Sequence, residues 1–146
     1  MHNECLRWLE GLKRATPDAF RDVRVLECGS FDVNGNPRHL FEDADYVGLD
    51  AREGKGVDVV SLVHEYQPLE KFDVVMSLNS LEHDPHWSKS IGSMCGFLKA
   101  GGALMLSWAM RWPEHEKDGS PEPGYYRNLT ERDVQLVLKD CPRIRS

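Results

Sequence analysis

The sequence predicts a single α/β domain in which a mostly parallel sheet is covered by helices on both faces. Three observations predict it. Apolar runs of strand length alternate with segments of helical periodicity along the chain. The run Phe72-Asp-Val-Val-Met-Ser-Leu78 is apolar enough for a strand covered on both sides. A length of 146 residues with 40% hydrophobic content fills one core, giving a single domain over 1–146.

Taken in order, Glu4 to Arg14 carries Cys5, Leu9 and Leu12 at helical spacing with Trp8 beside them, and Thr16-Pro17-Asp18 ends that helix. Val23 to Cys28 reads as a first strand stopping at Gly29. Asn34-Gly-Asn-Pro37 is turn chemistry, with Pro37 placed to open a short helix through Phe41. Tyr46 to Leu49 is a second strand ending at Asp50, Val57 to Val60 a weaker third, and Phe72 to Leu78 the fourth. Asp84-Pro85 supplies a cap and a first-turn proline to a helix bearing Trp87, Ile91, Met94, Cys95 and Leu98, closed by Lys99 and Gly101. Ala103 to Trp108 is a fifth strand, Pro113 to Gly124 a polar loop, and Thr130 with Asp133 caps a last helix that stops at Cys141-Pro142. Crossovers between such strands are right-handed, and ligands bind at the carboxyl ends of the strands where the strand order switches.

Composition excludes several classes. A net charge of −6 lacks the clustered basic residues that nucleic acid requires, and Arg143 and Arg145 at the C-terminus read as a solvated tail. There is no apolar run long enough to span a membrane and no signal-peptide layout, so a soluble, cytoplasmic protein is expected. Cys5, Cys28, Cys95 and Cys141 are widely spaced, which predicts reduced thiols rather than a metal knuckle or a disulfide framework.

The informative constellation is Glu27-Cys-Gly29-Ser-Phe-Asp-Val-Asn-Gly35 after the first strand, with Asp50 at the end of the second. Glycine after a strand admits close ligand approach, and a carboxylate on the next strand can accept hydrogen bonds from a ribose diol. A dinucleotide would want glycine where Glu27 stands, because a carboxylate there repels pyrophosphate. A nucleoside carrying positive charge fits better.

These residues resemble the class I S-adenosylmethionine-dependent methyltransferases, of the type 11-like kind. Tyr46-Val-Gly-Leu-Asp50 resembles the family's second motif, Phe72 to His83 its fourth, and Phe97-Leu-Lys-Ala-Gly-Gly-Ala-Leu-Met-Leu-Ser107 the turn before its fifth strand, with Ala100 where proline is usual. The resemblance implies a Rossmann-like three-layer sandwich of strand order 3-2-1-4-5, lacking the usual C-terminal hairpin, with S-adenosyl-L-methionine as cofactor. It implies that Glu27, Gly29 and Ser30 meet the methionine portion, Asp50 the ribose, Ala51 and Arg52 the adenine, and Ser77, Leu78 and Asn79 the sulfonium side.

His83, in Glu82-His83-Asp84 after the fourth strand, is a candidate general base or a residue that only shapes its loop. His86, Trp112, Tyr125 and Tyr126 are candidates for contacting a substrate, with packing of the Met110–Arg127 loop as the alternative reading for its aromatics. No metal is expected. The family's adenine-binding carboxylate has no counterpart in Ser61-Leu62-Val63. The absent hairpin leaves a sheet edge for a homodimer or a partner subunit to cover, or for some other guard. The expected activity is methyl transfer to a small molecule or glycan. The alternatives are an inactive cofactor-binding subunit that supports a partner and, third, a nicotinamide-dependent oxidoreductase.

Overall fold

A computed structural model of the chain describes residues 3–111 and 126–141. Five strands, β1 (Arg24–Cys28), β2 (Asp45–Asp50), β3 (Val59–Val60), β4 (Phe72–Leu78) and β5 (Leu98–Ser107), form one parallel sheet in the order β3-β2-β1-β4-β5. The chain runs outward from β1 to β3 and then crosses to the other side of β1, so the switch point lies between β1 and β4. This is the predicted order.

Alternation along the central strands builds the two outer layers. Val25, Val74 and Met76 pack with Cys5 and Leu9 of α1 (Asn3–Ala15) and with Phe20 and Leu40 from two short 3-10 turns. Leu26, Cys28, Leu49 and Val75 pack with Ile91 and Met94 of α2 (Trp87–Phe97) and Val134 of α3 (Glu131–Leu138). α1 places Glu4 in its first turn and Lys13 and Arg14 in its last, which suits the helix dipole, and Lys13 also donates to the Leu40 carbonyl and to Glu42, each at 2.7 Å. In α3 the predicted Thr130–Asp133 pair forms a reciprocal capping box.

Several local expectations are corrected. The helix expected from Asp84-Pro85 begins at Trp87, because Asp84 accepts the His86 amide at 2.7 Å and the Ser90 hydroxyl, closing a turn ahead of the helix. Lys99 and Gly101 do not close α2; they belong to an irregular start of β5, where Lys99 pairs with Asp73 at 3.0 Å and the register shifts between Phe72 and Val74. Pro37 precedes a 3-10 turn, Arg38–Leu40, rather than opening an α-helix, and the third strand shrinks to two residues. The thiols at Cys95 and Cys141 are not both free. α2 and α3 pack side by side and bring their Cα atoms to 6.1 Å, where the cysteines are joined as a disulfide, while Cys5 and Cys28 remain free and buried. Sequence spacing could not reveal a pair that only helix packing brings together. No helix among the described residues is long and apolar enough to cross a membrane.

Candidate functional site

A cavity of about 190 Å³ opens at the carboxyl ends of β1 and β4, at the switch point. Glu27, Gly29, Ser30 and Phe31 wall it from the β1 side, Leu78 and Asn79 from the β4 side, and Val33, Asn34 and Gly35 close the loop above. Five of the predicted cofactor residues therefore meet there: Glu27, Gly29, Ser30, Leu78 and Asn79. Phe31, Val33, Asn34 and Gly35 carried no individual assignment, although all four lie inside the quoted Glu27–Gly35 motif. Their place follows from the loop's own hydrogen bonds: Asp32 accepts the Gly35 amide at 2.7 Å and the Asn36 side chain at 2.8 Å, folding the loop back over the strand ends.

Glu27 is the chemically distinctive wall. It is 6% exposed, and burial pushes its carboxyl up to about 7 from an ordinary 4.5, an effect opposed by a hydrogen bond that the Tyr46 hydroxyl donates to Oε2 at 2.7 Å. Among the described residues no cation forms an ion pair with it, and Oε1 accepts no hydrogen bond. A buried, unpaired carboxylate is costly, and a cation entering the cavity would relieve that cost.

The backbone around Glu27 is shaped by close approaches. Gly29 has φ +84, and a Cβ there would lie 2.2 Å from the Ser80 Oγ, so glycine is needed because the loop after β4 crosses β1 at this point. Ser80 Oγ in turn contacts Ser77 Oγ at 2.9 Å and donates to the Cys28 carbonyl at 3.3 Å. Ser77, near the end of β4, thus braces Ser80 where Ser80 meets β1, and it is not among the residues that line the cavity. Asn79 adopts φ 51, a conformation asparagine tolerates, and is fixed by its amide to the Ser107 carbonyl at 2.9 Å and its Oδ1 to the Ser107 hydroxyl at 3.2 Å. Ser30 is 2% exposed, and its hydroxyl lacks a partner among the described residues. It presses on Gly48, where a Cβ would sit 2.7 Å from Ser30 Oγ.

Asp50, Ala51 and Arg52 lie beside the cavity rather than in its wall. Asp50 Oδ2 accepts the Phe31 amide at 3.1 Å and Oδ1 the Arg52 amide at 3.0 Å, so the carboxylate orders both flanking loops and keeps lone pairs for further donors. The Arg52 guanidinium stacks over the Phe31 ring at 4.9 Å, which links the end of β2 to the cavity wall.

On the β4–β5 side, Glu82 is 2% exposed; its Oε1 accepts the Ala109 amide at 3.1 Å and its carbonyl accepts the Arg127 amide at 2.9 Å. His83 is exposed and packs edge-on against Tyr126 at 5.3 Å, and the Tyr126 hydroxyl donates to the Ala109 carbonyl and the Asn128 side chain, each at 3.2 Å. Tyr126 is 3% exposed and joins the two ends of its loop. His86 turns elsewhere, its ring 4.6 Å from that of His64. Trp112, His115 and Tyr125, with Arg143 and Arg145, lie outside the described residues.

No protein-family model matches the sequence, and no curated protein is detectably similar to it. Solved structures are similar in fold. The Burkholderia thailandensis 1,6-didemethyltoxoflavin-N1-methyltransferase, solved with bound 1,6-didemethyltoxoflavin and S-adenosylhomocysteine, superposes with a TM-score of 0.64 at 19% identity, covering 94% of this chain and 66% of that one. An S-adenosylmethionine-dependent methyltransferase from Clostridium acetobutylicum gives 0.64 at 12% identity, covering 95% and 80%. A sugar N-methyltransferase from a Streptoalloteichus species gives 0.55 at 15%, covering 76% and 51%. The chain thus spans just under two thirds of the first of these proteins and about half of the last. The strand order, the cavity at its switch point and these superpositions together show that the chain has the fold of the class I S-adenosylmethionine-dependent methyltransferases.

Proposed function

We propose that the cavity binds S-adenosylmethionine and that the chain moves its methyl group to a nucleophile on a small molecule or glycan. The observation that carries this reading is Glu27, a buried carboxylate that lines a cavity at the switch point and has no ion pair among the described residues. Such a group disfavours a phosphate and favours a cation, which separates this ligand from a nicotinamide dinucleotide. The bound S-adenosylhomocysteine of the Burkholderia enzyme supports the same ligand class.

S-adenosylmethionine supplies a methyl carbon on a positively charged sulfur, which departs readily as a neutral thioether. The residues of this chain then bind and align. Glu27 takes a cationic group of the methionine portion, and Gly29 keeps the approach to it open. Asp50 accepts from the ribose hydroxyls with the lone pairs its two backbone donors leave. Asn79 and Leu78 bound the side from which an acceptor enters. Alignment alone can supply much of the acceleration when the acceptor is already nucleophilic, so His83 serves as a base only for acceptors that must lose a proton.

Calorimetry with S-adenosylmethionine, S-adenosylhomocysteine and NAD separates the ligand classes. Binding of the first two is expected, and tight binding of NAD alone sinks the proposal. Release of S-adenosylhomocysteine with amine, hydroxyl and glycan acceptors then reads transfer. Binding without release across such a panel favours a supporting, inactive subunit.

A further inference from the structure

Glu27 is held by one contact that originates on another strand. β1 and β2 run parallel with Val25 opposite Tyr46, and the Tyr46 side chain reaches along the sheet to donate its hydroxyl to Glu27 Oε2 at 2.7 Å. The tyrosine is itself fixed from two directions. Phe41 meets its ring edge-on at 5.6 Å, and the Arg38 guanidinium lies over its face at 4.5 Å. Arg38 is committed to Asp58 at 2.8 Å, and Asp58 also accepts the Gly48 amide at 2.7 Å, so the whole stack is anchored to β2.

We propose that Tyr46 is the positioning residue of this site, orienting the Glu27 carboxylate and holding it ready to receive a cationic group in the cavity. With Oε2 occupied by the hydroxyl, Oε1 is the oxygen left for the ligand. Among the described residues, Arg38 on the turn after β1 favours its ionised form and Asp32 on the cavity loop opposes it, while its register partners Gly48 on β2 and Met76 on β4 bring no charge; the positive charge of the N-terminal amine also favours the ionised form. The Tyr46 hydroxyl is the strongest influence working against burial, so its removal leaves desolvation largely unopposed and raises the Glu27 carboxyl further. At neutral pH the free carboxyl is then protonated more of the time, and binding of a cation must first displace that proton.

Tyr46→Phe keeps the ring that Phe41 and Arg38 pack against and removes only the donor. In ligand-free protein, ¹³C NMR follows the carboxyl titrations, with the Glu27 resonance identified by its loss in Glu27→Gln. The expected result is a midpoint near neutrality in the wild type and one higher by about half a unit or more in Tyr46→Phe. An unchanged midpoint overturns the proposal. The second arm rests on the proposed ligand. At pH 7, Tyr46→Phe is expected to weaken S-adenosylhomocysteine, which carries an ammonium group, by roughly threefold to tenfold. It should leave 5′-methylthioadenosine, which has no charged amino-acid end, unaffected. Equal weakening of both nucleosides means general damage to the cavity and overturns the role assigned to Tyr46. If neither nucleoside binds the wild type, the ligand assignment fails, and the titration still decides whether Tyr46 governs Glu27.

Discussion

Two carboxylates stand at the ends of adjacent parallel strands, and their surroundings differ in kind. Glu27 at the end of β1 is 6% exposed, accepts a hydrogen bond from the Tyr46 side chain, and has its carboxyl driven up to about 7 by burial. Asp50 at the end of β2 is half-exposed and is held by two backbone amides, from Phe31 and Arg52. The first spends stability to keep a buried carboxylate in the cavity wall, and the second uses its charge to set loop geometry. The difference predicts that Glu27 governs charge recognition and pH dependence, whereas Asp50 governs the placement of whatever lies beside the cavity.

The largest effects are expected at Glu27. Its folded value lies above its ordinary 4.5, so folding takes up a proton; the stability this contributes is complete below about pH 4.5 and is lost as the pH rises through about 7. At pH 8.5 the buried charge then costs roughly 3 kcal/mol. Glu27→Gln removes the charge and is expected to raise ligand-free stability by roughly 2 to 3 kcal/mol at pH 8.5 and by little at pH 4.5, read by urea unfolding at both. The same variant is expected to weaken S-adenosylmethionine by roughly 10- to 100-fold. A variant neither more stable at high pH nor weaker in binding would erase the contrast between the two carboxylates.

Gly29 sits between them, its amide and that of Ser30 both donating to the Leu49 carbonyl at 2.8 and 3.1 Å. Gly29→Ala is expected to cost about 2 to 4 kcal/mol, from the positive φ and from the Cβ driven into Ser80. Adding Ser80→Gly should return part of that loss, because the steric share disappears while the backbone strain stays. A urea midpoint unmoved by Gly29→Ala would show that the crossing of the two loops is slack. At Asp50 the effect should fall on the ligand: Asp50→Ala is expected to weaken nucleoside binding by about 1 to 3 kcal/mol, and an unchanged affinity rejects the ribose role.

The sequence displayed the two carboxylates and their glycine because these are local signals, each set by a strand end and the turn after it. β4 was equally plain, since a strand buried on both faces writes a continuous apolar run, and Thr130 with Asp133 announced their cap within four residues. What stayed hidden depends on distant packing. Tyr46 reads as an ordinary strand aromatic until β1 and β2 are paired, and only then does its hydroxyl reach Glu27. Ser77 reads as part of the cavity mouth until Ser80 is found against it. Cys95 and Cys141 meet only because α2 and α3 lie side by side. Lys99 and Gly101 read as the end of a helix because lysine and glycine suit one, whereas both lie in β5, where Lys99 pairs with Asp73 on β4.

The smallest effect is expected in the turn after β4, at His83. Its ring lies edge-on to Tyr126 at 5.3 Å, and Tyr126 is tied to Ala109 and Asn128. If the carboxylate side supplies recognition and the β4–β5 side supplies alignment, a histidine substitution changes turnover only through that packing. His83→Gln is accordingly expected to lower kcat by less than about tenfold on an amine acceptor, with KM for the cofactor unchanged, whereas a general base contributes on the order of a hundredfold or more. The pH profile separates the two roles. A structural histidine leaves its shape intact in the variant, and the fall in activity toward low pH should follow Glu27, whose protonation near neutrality removes the charge the ligand needs. A loss of a hundredfold, with the acid limb abolished in His83→Gln, would place proton transfer on the β4–β5 side and reduce Glu27 to binding alone.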